Sequence, residues 1–150
     1  MDMKDFGKYF ANCRVELQRT IGNDIPKIVA NKGLLLFKKN FQTESFFGQK
    51  WKDVKRRTNP RRSQMGKASA QRPILTGTGD LGRSLKYEVG QGFVRFYSDL
   101  PYSAAHNEGT STAGRGNHTT IPQRQFLGES DEIDRLVTDT IEQQLDKIFR

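Results

Sequence analysis

The sequence predicts an α+β fold: N-terminal helices, a small antiparallel sheet built on a hairpin at about residues 84–98, and a C-terminal helix packed on that sheet. Three observations predict it. Apolar residues recur at three- and four-residue steps over residues 5–21 and again over 131–148, the period of an amphipathic helix. Ser84–Gly90 and Phe93–Ser98 instead alternate apolar and polar residues on either side of Gln91-Gly92, as two strands and their turn do. Between the first helices and the hairpin lies a basic, turn-rich stretch that follows neither period.

Each element has a local reason. Phe6, Phe10, Cys13, Leu17 and Ile21 form the apolar stripe of the first helix, and Gly22-Asn23 is expected to break it. Asp24 then stands where an N-cap belongs, with Pro26 in the first turn of a second helix. Ile25, Ile28, Val29, Leu35 and Leu36 carry that helix to about residue 42, and Gly33 is a weak point where it could kink. Phe46-Phe47-Gly48-x-x-Trp51 is an aromatic cluster, read as a core or subcore plug, with an interface anchor as the alternative. From Lys52 to Arg72 the turn signal Asn59-Pro60, small residues and positive charge point to a mobile loop with no apolar set to pack it down. Tyr102–His106 suits a short helical turn, and residues 107–120, rich in Gly, Ser and Thr, read as a flexible exposed loop. Ser130 caps the last helix, Asp131, Glu132 and Asp134 fill its first turn, and Ile133, Leu136, Val137, Thr140, Ile141, Leu145 and Ile148 make its stripe.

A chain of 150 residues, 34% apolar and 28% charged, describes a single soluble domain with a modest core. No apolar run approaches the roughly 20 residues needed to span a bilayer. Met1-Asp2-Met3-Lys4-Asp5 lacks a signal-peptide core, and the single Cys13 agrees with a reducing compartment. The net charge of +8 is unevenly spread. Residues 51–72 hold eight basic side chains against one acidic, whereas residues 129–150 hold three against seven. A basic block and an acidic end can meet within one molecule or between copies of it.

Candidate chemistry is sparse. Gly77-x-Gly79-x-x-Gly82 matches a dinucleotide-binding fingerprint, with Asp99 twenty residues after Gly79. That site needs a strand before it and a helix behind it, and Leu85–Val89 begins too soon for a helix. No Gly-Lys-Ser/Thr follows to make a phosphate loop. His106 and His118 lack the converging ligands of a metal site. Asn117-x-Thr119 is a glycosylation sequon by pattern only. The basic run Lys52, Lys55, Arg56, Arg57, Arg61, Arg62, Lys67 and Arg72 is the strongest electrostatic feature. It suits contact with a phosphate backbone, or with the acidic surface of a neighbouring protein, and it carries no aromatic residues for base stacking.

Four local patterns occur in order. They are Phe47-Gly48-x-x-Trp51; Ile74-Leu75-Thr76-Gly77 followed by Asp80-Leu81-x-Arg83-Ser84-Leu85; Tyr102-Ser103-Ala104-x-His106-Asn107-x-Gly109; and Ile121-Pro122-x-Arg124-x-Phe126-Leu127-Gly128. Together they resemble the phage virion morphogenesis family of Mu-like tailed phages, and the chain is similar to tail-completion and head–tail joining (neck) proteins. Gln125 stands where the family usually carries Pro. The resemblance implies a small α+β structural protein with no catalysis and no cofactor. It implies assembly into a ring with itself and with tail-tube, tail-terminator or neck proteins, around a lumen through which DNA passes. It further implies the host cytoplasm during assembly and the virion afterwards. Trp51, Gly77, Leu81, Arg83, Ser84, Tyr102, His106, Gly109, Pro122, Arg124, Phe126 and Leu127 are the motif positions expected to be structural.

Overall fold

The computed structural model describes residues 3–150, apart from the side chains of Lys4 and Gln64; Met1-Asp2, part of the terminus considered above, lies outside them. The elements are α1 (Met3–Arg19), a π-helical turn (Thr20–Asp24), α2 (Ile25–Thr43), β1 (Ser45–Phe46) and β2 (Gln49–Lys50). Then come α3 (Lys55–Thr58), 3-10 turns at Arg62–Gln64 and Ala68–Gln71, α4 (Asp80–Ser84), β3 (Leu85–Gly90) and β4 (Phe93–Ser98). The chain ends with α5 (Ser103–Glu108), β5 (Thr110–Ala113), β6 (Thr119–Ile121) and α6 (Asp131–Phe149). The fold is α+β as expected, with three separate two-stranded sheets, β1-β2, β3-β4 and β5-β6. Its described residues resolve into two compact units, one made of residues 3–34, 87–96 and 129–150, the other of 35–86 and 97–128.

In the first unit, the expected break at Gly22-Asn23 does not occur, and Asp24 is not an N-cap. The helical path continues through Thr20–Asp24 as a π turn, in which the Ile25 N–H donates to the Thr20 carbonyl. Pro26 supplies the reason. It has no N–H for the carbonyl four residues earlier, and its ring crowds that carbonyl. The carbonyl belongs to Gly22, and it accepts instead from the N–H of Gly92 at 3.1 Å. The turn of the hairpin thereby satisfies what the proline leaves open. Ile25, Val29, Ala30, Thr20 and Thr140 are buried in this unit, and α6 packs against α1. Ser130 caps α6 as expected, its hydroxyl accepting from Ile133 N at 3.2 Å.

Gly33 does not split α2, which runs unbroken to Thr43. A Cβ at Gly33 would lie 2.6 Å from Cζ of Phe96, so the absent side chain is the space the ring occupies. Helix propensity alone favours Ala over Gly by about 1 kcal/mol. Overpacking of the ring outweighs that gain, and Gly33→Ala is expected to destabilise by about 1–2 kcal/mol in urea unfolding. A variant more stable than the parent would show that the ring does not sit there.

The second unit is built on aromatic packing. Phe41 of α2 meets Trp51 edge-on at 5.6 Å and Phe126 at 5.1 Å, while Phe37 and Phe46 both contact Phe47. The expected plug is therefore core, delivered by the β1-β2 ribbon, which pairs Ser45 with Lys50 and Phe46 with Gln49. Ile74, Leu81, Leu85 and Ala70 complete the buried set. Two loop expectations change. Asn107–Thr120 contains the β5-β6 ribbon, with Thr110 opposite Ile121, Ala113 opposite Thr119 and a register shift between. The five-residue helix α4 also fits between Gly79 and Leu85, where no helix was expected.

The basic segment contains short helical turns and is tied to the unit at its middle. Arg57 forks onto Glu44, Nη1 to Oε2 at 2.8 Å and Nη2 to Oε1 at 2.6 Å, with both side chains about one-fifth exposed. Glu44 Oε1 also accepts from Ile74 N at 2.8 Å. The Arg57 bonds, aided by the amide of Ile74 and opposed by burial, hold the Glu44 carboxyl down at about 2. A folded-state value below the unfolded one stabilises fully above about pH 4.5 and is lost as pH falls through about 2. Glu44→Gln is expected to cost about 2 kcal/mol at pH 7 by denaturant unfolding, with the gap to the parent closing as pH approaches 2. A constant gap across that range would mean the pair is not formed.

Candidate functional site

The second unit carries an open cavity of about 480 Å³ whose wall includes Arg56, Arg72, Arg124, His106, Tyr102 and the Gly77–Leu81 turn. The turn is self-fastened. Gly79 sits at φ +81°, a left-handed conformation that glycine adopts without strain, and it opens α4. Arg83 Nη2 donates to Thr78 O at 2.8 Å and to Asp80 Oδ1 at 2.7 Å, and the Thr78 hydroxyl donates to the other Asp80 oxygen. The Thr78 hydroxyl and the Arg83 guanidinium hold the Asp80 carboxyl below its usual range. Asp80, Leu81 and Arg83 are thus parts of the turn. Leu81 is buried, and Ser84 closes α4 with a bond to Leu81 O at 2.7 Å and another to the Ser98 hydroxyl at 2.6 Å.

The opposite wall comes from an irregular segment. Arg124, only 7% exposed, donates from Nε to Lys52 O at 2.8 Å and from Nη2 to Asp53 O at 3.2 Å. Its backbone N–H donates to His106 O at 2.8 Å. Burial, then the neighbouring Arg56, draws its pKa down. Arg56 donates from Nη2 to Arg72 O and Pro73 O at 2.7 and 3.0 Å, and its Nε is buried without a partner. His106 packs edge-on against Tyr102 at 6.1 Å, and its Nδ1 is buried with no partner. Burial, with Arg124 nearby, lowers the pKa of His106, so the imidazole is neutral at pH 7.

The basic run is thereby divided. Arg56 and Arg72 reach the cavity, and Arg57 belongs to the Glu44 pair. Lys52, Lys55, Arg61, Arg62 and Lys67 are exposed and lie outside the cavity wall. Trp51 is core, its indole N–H donating to Gln125 O at 2.7 Å. Phe126 is 1% exposed, Pro122 and Leu127 are half-buried, and Gly109 follows α5. Sequence reasoning missed Asn40 and Glu44, which join residues far apart in the chain. Asn40 accepts from Phe47 N at 3.1 Å and donates to Phe126 O at 3.4 Å. No periodicity or spacing signals such amide and carboxylate links. Among the described residues no group of three His, Cys, Asp or Glu side chains could hold a metal ion. The cavity offers guanidinium donors and a neutral imidazole, an arrangement suited to holding a group.

Neither the curated proteins nor the solved structures provide a match to this chain. The sequence model of the phage virion morphogenesis family, by contrast, matches residues 37–146, from the aromatic half of α2 through most of α6. That span includes Trp51, the Gly77–Ser84 turn, α5 and the Arg124–Leu127 segment, and the chain belongs to the phage virion morphogenesis family.

Proposed function

We propose that this virion-morphogenesis protein acts in tail completion or head–tail joining by assembling into an oligomeric ring with neighbouring tail-tube, tail-terminator or neck proteins. The observation that supports assembly is α1. Phe6, Tyr9, Phe10 and Val15 are 53%, 45%, 56% and 61% exposed, and Ile21 just beyond is 50% exposed. Phe6 and Phe10 touch at 4.6 Å, and Tyr9 meets Phe10 edge-on, so the exposed rings form one patch. Water does not favour such a patch on an isolated protein, and burial against a neighbour removes the cost. In this reading the chain is made in the bacterial cytoplasm and ends in the virion, and no described helix is long and apolar enough to cross a membrane.

Replacing both rings in Phe6→Glu/Phe10→Glu is expected to abolish self-association in sedimentation velocity and incorporation into particles by mass spectrometry. Both side chains are exposed, so helicity and melting should barely change. A parent protein that is strictly monomeric and never enters particles would sink the assembly reading.

A second reading, sequence-nonspecific nucleic-acid binding through residues 52–72, is favoured by the exposure of Arg61, Arg62 and Lys67. Arg61→Ala/Arg62→Ala should then weaken duplex DNA binding uniformly across sequences and lower its salt slope by about 2. No binding near physiological salt removes this reading.

A further inference from the structure

We infer that the cavity beneath the Gly77–Leu81 turn is a carboxylate-accepting socket, and that its occupant is an acidic side chain from the first turn of α6 in a second copy of this chain. The inference rests on the assembly reading above.

Three arginines line one space. They are Arg56, Arg72 and Arg124, and the only carboxylate among the described residues of that wall, Asp80, is engaged by Arg83 and Thr78. Nearby Asp53 is engaged by Arg57 at 3.5 Å. The bonds of Arg56, Arg72 and Arg124 go to main-chain carbonyls, which are neutral. Buried cations are ordinarily matched by an anion, because removing charge from water is costly unless it is paired. Here Arg124 is nearly fully buried with Arg56 beside it, and among the described residues neither forms an ion pair; the carboxylate that acts on Arg124, Asp53, is itself engaged by Arg57. Arg56 Nε and His106 Nδ1 are buried and lack partners, so the wall also has hydrogen-bonding capacity to spare. A carboxylate satisfies both needs, since arginine forks match its geometry.

The complementary surface is on the same chain. Asp131, Glu132 and Asp134 are exposed in the first turn of α6, and among the described residues none of them forms an ion pair. A ring of identical subunits joined head to tail needs two different surfaces that fit one another. A cationic socket and an acidic helix end are such a pair, and a long carboxylate-bearing side chain can enter a recess. A DNA backbone is met by an extended basic stripe, whereas these three arginines line one recess. The exposed Arg61, Arg62 and Lys67 lie elsewhere.

Charge reversal with restoration tests the contact in the full-length chain. Arg72 is exposed and makes a single long bond, 3.5 Å to Gly77 O, so Arg72→Glu leaves the fold standing. Arg72→Glu alone, and Asp131→Lys/Asp134→Lys alone, should each weaken self-association about tenfold in sedimentation velocity. The chain carrying all three changes should associate more tightly than either partial variant, because the reversed charge at position 72 then faces reversed charges on α6. Arg61→Glu, outside the cavity, should fail to restore the α6 variant. If the parent associates and Arg72→Glu is without effect, the socket is overturned and assembly stands. A parent that stays monomeric overturns both. If Arg61→Glu restores as well as Arg72→Glu, the attraction is general and the socket is overturned. Association unmoved, with duplex DNA affinity lost on Arg72→Glu, assigns the cavity to phosphate and overturns the carboxylate.

Discussion

The buried segment Arg124–Leu127 has no strand alongside it, yet its polar backbone is almost wholly satisfied, and the second unit depends on how. Buried amides and carbonyls must find partners. Here side chains supply most of them. Asn107 Oδ1 accepts from the N–H of both Phe126 and Leu127 at 2.9 Å, and its Nδ2 donates to Leu127 O at 3.1 Å. The Trp51 indole takes Gln125 O, Asn40 takes Phe126 O, and the Arg124 N–H goes to His106 O. The N–H of Gln125 donates no bond among the described residues. This stitching allows Phe126 to enter the aromatic core while Arg124, two residues earlier, turns its guanidinium toward the cavity. The aromatic core and the cavity wall are consequences of one arrangement.

The first unit shows the same economy of means at Pro26. A proline inside a helix leaves a carbonyl without a donor, and the π turn and the Gly92 amide together absorb it. The hairpin turn is thereby anchored to the helix that precedes it by some seventy residues of sequence. Gly33 plays the complementary role, leaving room for Phe96. Both residues look like helix breakers in isolation, and both serve contacts with the hairpin.

Charge is sorted rather than massed. Glu44 holds Arg57 and the amide of Ile74, fastening the basic segment and the chain just after it to the end of α2. Arg56 and Arg72 line the cavity, while Lys55, Arg61, Arg62 and Lys67 lie outside its wall. The glycine stretch at 77–82 shapes the rim of that cavity. Its resemblance to a dinucleotide cradle fails because α4 is one turn long and leads directly into a hairpin strand, leaving no long helix whose N-terminus could meet a pyrophosphate.

The sequence by itself determined the elements whose cause is local: the periodic stripes of α1, α2 and α6, the Ser130 cap, the β3-β4 hairpin around Gln91-Gly92, and the aromatic plug at residues 46–51. Those follow from period, capping chemistry and turn chemistry, which act over a few residues. It also carried the family, through short patterns in order. Only the tertiary structure decided the rest. That Pro26 sits inside a continuous helix depends on a donor from Gly92, and that Arg56 and Arg72 part company with Arg61 and Arg62 depends on where Arg124 and Glu44 lie. The β5-β6 ribbon is carried by polar residues with no alternation of apolar side chains to announce it. Which surface is left apolar, on α1, and which arginines line the cavity, around Arg124, are properties of what packs against what, and no local pattern contains them.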